Sequence, residues 1–161
     1  MSPTQPPSPH HPPSPPPPLD AAQEDELIQQ IGARVLQGAP KGWRRIDVKV
    51  TMATMVDDIA LTVIMSDGSS PPPEPPPDIK AELVALRQGM YQPGRGTWLS
   101  LRLILDPPGS YVVHYNFDYD PLWDPPVPPV VYQRDLEAFP RDTEHLPAWY
   151  PARMQEGTEN A

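Results

Sequence analysis

Proline decides where this chain can build regular structure. Of its 161 residues 28 are proline, and each fixes φ near −65° and removes a backbone donor. Ten lie before Leu19 and six within Ser69–Pro77. Residues 1–19 therefore read as a disordered, polyproline-like arm, and 69–77 as a surface loop. A single domain is expected over residues 20–150, with a flexible tail at 151–161.

Between the proline tracts the apolar pattern is periodic. Leu27, Ile28, Ile31, Val35 and Leu36 recur at helical spacing, with Asp20 as a cap and Gly38 and Pro40 as a stop, so a helix is predicted over 20–38. Ile46, Val48, Val50 and Met52 alternate with polar residues, as do Ile59, Leu61, Val63 and Met65. These predict a hairpin turning around Val56-Asp57-Asp58. Ile79, Leu83, Leu86 and Met90 predict a second helix over 77–91. A second hairpin follows, with strands over 97–105 and 110–119 about the turn Asp106-Pro107-Pro108-Gly109.

In the last strand Tyr111, Val113, Tyr115, Phe117 and Tyr119 share one parity and are assigned to the core. His114, Asn116, Asp118 and Asp120 share the other, with Val112, and are assigned outward. A third helix is expected over 130–139, then a closing turn with Leu146 and Trp149. The order helix, hairpin, helix, hairpin, helix implies an α+β fold. It should have a four-stranded, mainly antiparallel sheet and helices on one face.

Charge is uneven along the chain. Residues 1–105 carry 11 Asp and Glu against 9 Lys and Arg; residues 106–161 carry 10 against 3, so −7 of the net −9 lies in the last third. Such a field repels phosphates and steers basic partners. There is no cysteine, which excludes disulfides and thiolate sites. Neither a membrane span nor a signal peptide is legible, so a cytoplasmic protein is expected.

Catalytic signatures are absent. There is no G-x-S-x-G and no H-E-x-x-H. Gly94-Arg95-Gly96 precedes a strand and reads as a turn. Asp118, Asp120 and Asp124 are the best candidates for a metal or acid–base site, yet they lack a calcium-loop spacing. An outward acidic docking face fits them better, with His114 and Asn116 beside them and Trp123 as its apolar anchor. A non-enzymatic protein without cofactor is expected. The rival readings are an adaptor that works through its proline-rich arm, and a metal-dependent hydrolase built on the three aspartates.

The C-terminal third carries a resemblance. Tyr115-Asn116-Phe117-Asp118-Tyr119-Asp120, then Trp123, Tyr132, Asp135-Leu136, Phe139-Pro140-Arg141 and Leu146-Pro147-x-Trp149 resemble the YezG-type bacterial immunity proteins. The likeness covers roughly residues 97–150; residues 20–66 agree only in element order. It implies a cytosolic antitoxin that blocks the catalytic domain of a cognate toxin, nucleases among them; the negative charge and the lack of an apolar span separately argue against direct contact with nucleic acid or membrane. The matching segment holds no catalytic residues to carry over. The proline-rich arm and tract depart from the family's pattern.

Overall fold

A computed structural model describes residues 18–72 and 77–155. The proline-rich arm at 1–17, residues 73–76 and the end of the chain from 156 lie outside the described residues. The chain runs α1 (Ala21–Gln37), β1 (Trp43–Met52), β2 (Asp57–Met65), α2 (Lys80–Gly89), β3 (Ser100–Asp106), β4 (Ser110–Asn116), α3 (Pro129–Ala138), a 3-10 turn (Thr143–His145) and α4 (Trp149–Gln155). The fold is α+β, with one four-stranded antiparallel sheet in the order β2-β1-β3-β4.

The first helix starts where its cap dictates. The Asp20 carboxylate accepts the Gln23 N–H while the Gln23 side chain accepts the Asp20 N–H, a reciprocal capping box. Ile28, Ile31 and Val35 then line one face and are buried. Strand parity does the rest. Val48 faces Leu61 on one side and Leu103 on the other, and Leu103 faces Val113. One face of the sheet is thus a continuous apolar layer, covered by α1 and by Ile79, Leu83 and Leu86 at and within α2. Burying each of Leu101, Leu103 and Leu105 contributes about 1.5–3 kcal/mol.

The opposite face is mixed and largely exposed, with Ile64 and Val112 among its polar residues. Lys49 faces Arg102, which faces His114, forming a basic row across three strands. Arg102 is ion-paired diagonally to Asp47, and Arg45 to Asp106 at 2.9 Å. Hydrogen bonding to Arg45 pulls the Asp106 carboxyl below its ordinary range.

Four expectations are corrected. The first hairpin turns at 53–56, where Ala53 N–H donates to Val56 O. Asp57 and Asp58 already belong to β2, opposite Met52 and Thr51. The fourth strand stops at Asn116, so Tyr119 is outside the sheet and exposed. The element order has a further helix at its end: α4 occupies 149–155, where a closing turn and a flexible tail are expected. Pro151 sits in its first turn, where a missing donor costs nothing.

Candidate partner-binding surface

The segment beyond β4 is shaped by side chains that take over backbone hydrogen bonding. Asn116 Oδ1 accepts the Tyr119 N–H at 2.9 Å, and its Nδ2 donates to Tyr119 O at 2.9 Å and to Ser100 Oγ at 3.1 Å. This local mimicry of a turn ends the strand. Trp149 Nε1 donates to Asp118 O at 2.8 Å. Asp120 accepts the Leu122 N–H at 3.0 Å through Oδ1, and Arg153 reaches its Oδ2 at 2.8 Å. Trp123 packs against Leu99, Tyr132 and Tyr150. The anchors come from β3, β4 and α4, so the loop has little freedom left.

What this bracing presents to solvent is unusual for a loop. Tyr119 is 80% exposed and Leu122 71%. Leu122 also takes a left-handed backbone, φ 55°, which is rare for a residue with a branched side chain. Asp118 and Asp124 flank the pair and are exposed.

Beneath the loop lies Arg141. Its guanidinium is almost wholly buried and holds three carbonyls: Phe117 O at 2.7 Å, Thr97 O at 3.0 Å and His145 O at 3.1 Å. It thereby joins the exit of β4, the approach to β3 and the 3-10 turn. Asp118 Oδ1 is 4.0 Å away, a loose ion pair. Burial pulls the Arg141 pKa down from its ordinary value. Two glycines make room for this residue and its neighbour. A Cβ on Gly96 would stand 2.5 Å from Arg141 Nε, and one on Gly94 would stand 2.3 Å from Asp142 Oδ2.

A second buried cation ties α3 to α2. Arg87 donates to both oxygens of Asp135 at 2.7 Å and to Trp98 O at 2.8 Å. Asp135 also accepts from the Thr54 N–H and hydroxyl, both at 2.9 Å. The Arg87 guanidinium stacks on Phe139, 4.8 Å from its centroid. Such planar, bidentate pairing suits arginine and not lysine.

The expected site residues therefore separate into groups. Asp118 and Asp124 are displayed together with Tyr119. Asn116 and Asp120 brace the loop from within. Trp123, expected as the apolar anchor of the docking face, is half-buried in the second cluster. His114 stands apart, in the basic row on the sheet. The six do not form one acidic face, because the strand ends at Asn116 and the chain turns before Asp118. Of the signature residues, Tyr115 and Phe117 pack on the main core, and Leu136, Leu146, Tyr132 and Trp149 on the smaller cluster. Pro140 O accepts the Tyr91 hydroxyl at 2.8 Å, and Tyr91 stacks on Phe139. Pro147 O accepts the Tyr150 N–H.

Two contributors escape a reading by pattern. Leu122 stands between Pro121 and Trp123 in a proline-rich loop, and nothing in that sequence marks which of the two large apolar side chains is exposed. Arg153 lies beyond the expected domain end; Pro151 followed by strong helix formers is the signal that could have found its helix. Among the described residues no cluster of three or more His, Asp or Glu could hold a metal ion, and no helix is long and apolar enough to cross a membrane. No family model matches the chain, and no curated protein matches it either.

Proposed function

We propose that this chain is an immunity-type inhibitor: a cytoplasmic antitoxin that binds the catalytic domain of a cognate bacterial toxin and blocks it stoichiometrically, with no turnover of its own. The observation that carries the reading is the braced loop beyond β4. It displays Asp118 and Asp124 around two exposed apolar side chains, within a segment of net charge −7 over residues 106–161. Excess negative charge accelerates encounter with a basic surface and disfavours nucleic acid. The likeness of residues 97–150 to YezG-type immunity proteins supports the same reading.

The direct test is the neighbouring reading frame. It should encode a secreted protein ending in a small basic toxin domain. Co-expression of that domain with this chain should restore growth, and the two should co-purify as a complex. Deleting residues 1–18 should leave protection unchanged. Protection lost with that deletion would instead favour an adaptor working through its proline-rich arm, and failure of the full chain to protect would end the immunity reading.

A further inference from the structure

We infer that Tyr119 and Leu122 are the anchors by which the loop grips its partner, and that they enter an apolar recess ringed by Lys and Arg on the toxin domain. The inference rests on the immunity reading and names the residues through which it operates. Among the described residues these are the two most exposed large hydrophobic side chains, and they lie three positions apart on one loop. Their exposure is not that of a loose segment. Asn116 holds the backbone of Tyr119 from both sides, and Asp120, itself held by Arg153, holds the Leu122 amide. A loop fixed before encounter loses little freedom on binding, and tyrosine brings large area on few rotors.

Leu122 adds a second argument. At φ 55° glycine would be relaxed, yet a leucine stands there with its side chain in water. Neither folding nor solubility gains from that choice, whereas an apolar contact with a partner would. Strained positions of this kind gather at ligand-contacting sites. The surrounding charge sets the partner's chemistry. Arg153 answers Asp120 within the chain, and Arg141 faces Asp118 only loosely, at 4.0 Å, so Asp118 and Asp124 are the exposed acids at the rim. A basic protein surface complements them; an anionic membrane or a nucleic acid does not.

The experiment measures affinity and growth protection with the toxin domain encoded beside this chain. The variants are Tyr119→Ser, Leu122→Gly, Asp118→Asn with Asp124→Asn, and Val112→Ser on the exposed sheet face as a control. Tyr119→Ser and Leu122→Gly should each weaken Kd by about 30-fold or more, with thermal unfolding unchanged or, for glycine, slightly raised. The double Asn variant should slow association about 10-fold and flatten its salt dependence. Val112→Ser should bind as the parent does. In the uncomplexed protein, backbone 15N relaxation at 117–123 should match that of β3. Parental affinity in both Tyr119→Ser and Leu122→Gly would overturn the inference while leaving the immunity reading intact, and so would a loop as mobile as a chain terminus. A parent chain that protects against no such domain would overturn both.

Discussion

Strand β3 serves two neighbourhoods built on different principles. From Leu101 to Leu105 its inward side chains join α1, α2 and the other strands in a layer of Ile, Val, Leu and Met. Leu99, just before the strand, belongs instead to the region formed by α3, α4 and the loop between β4 and α3. There the apolar cluster is small, and the chain is held by side chains that reach across it: Arg87 to Asp135, Arg141 to three carbonyls, Trp149 to Asp118 O, Arg153 to Asp120. The first region excludes water in bulk and tolerates a change of shape in proportion to volume lost. The second depends on single atoms. Its loop can expose apolar side chains because its position does not depend on burying them.

The sharpest way to break this contrast is at the joint. Arg87→Met leaves the Asp135 charge buried without its partner and should cost about 3–5 kcal/mol in urea unfolding. Adding Asp135→Leu should recover most of that loss, since an apolar pair of similar volume often replaces a buried ion pair at little cost. No recovery would mean that Thr54 and Trp98, which also bond the pair, depend on it more than its charge suggests. Next, Leu103→Ala in the main layer should cost about 2–5 kcal/mol, with hydrogen exchange accelerated throughout the sheet. Trp123→Ala should also destabilise, by about 2–3 kcal/mol given its partial burial, but with exchange accelerated mainly in α3 and α4. Equal spread in the two variants would erase the distinction between the regions.

Arg141→Lys is smaller and more local. A lysine has three rotating donors and no planar fork, so it cannot hold the three carbonyls in their present directions. A loss of about 1–3 kcal/mol is expected, and amide shifts should concentrate at 97, 117 and 145. The mildest perturbation is alkaline pH, and it touches both regions at once. Burial, then the hydrogen bond to Glu24, pushes the Tyr115 phenol above its ordinary pKa; burial, then the Asp135 charge, does the same for Tyr150. A pKa raised by folding means the folded state holds the proton more tightly. That stability is fully present below the unfolded phenol's value of about 10 and is lost as pH rises beyond it. Unfolding followed from pH 8 to 11 should therefore show a decline above about 10. Tyr115→Phe and Tyr150→Phe should each flatten it, the first through the sheet and the second through the helical cap.

The two regions were also unequally legible. Period-two alternation in 46–52 and 59–65 and helical spacing in 27–36 and 79–86 state directly which faces meet, because one local rule per element suffices. The capping box at Asp20 is equally local. The C-terminal region offers no such rule. Arg141 reaches partners 44 and 24 positions away, and Arg87 and Asp135 are 48 apart. Parity alone carried Tyr119 into the core because nothing local announces that Asn116 will fold back on the chain. The acidic character of the segment was readable from composition. Which of its carboxylates are spent on bracing and which are displayed was not, since that depends on Arg153 from a helix hidden behind Pro147 and Pro151.

One consequence concerns how related chains would have to vary. Gly94 and Gly96 lack side chains where Asp142 and Arg141 stand. Neither glycine can gain a side chain while Asp142 and Arg141 keep their present positions. A homologue with a bulkier residue at 96 would have to shorten the one at 141, and would then need a new way to fasten the exit of the fourth strand. Covariation between these two short motifs, rather than similarity along the whole length, is the mark by which distant members of this architecture would be found.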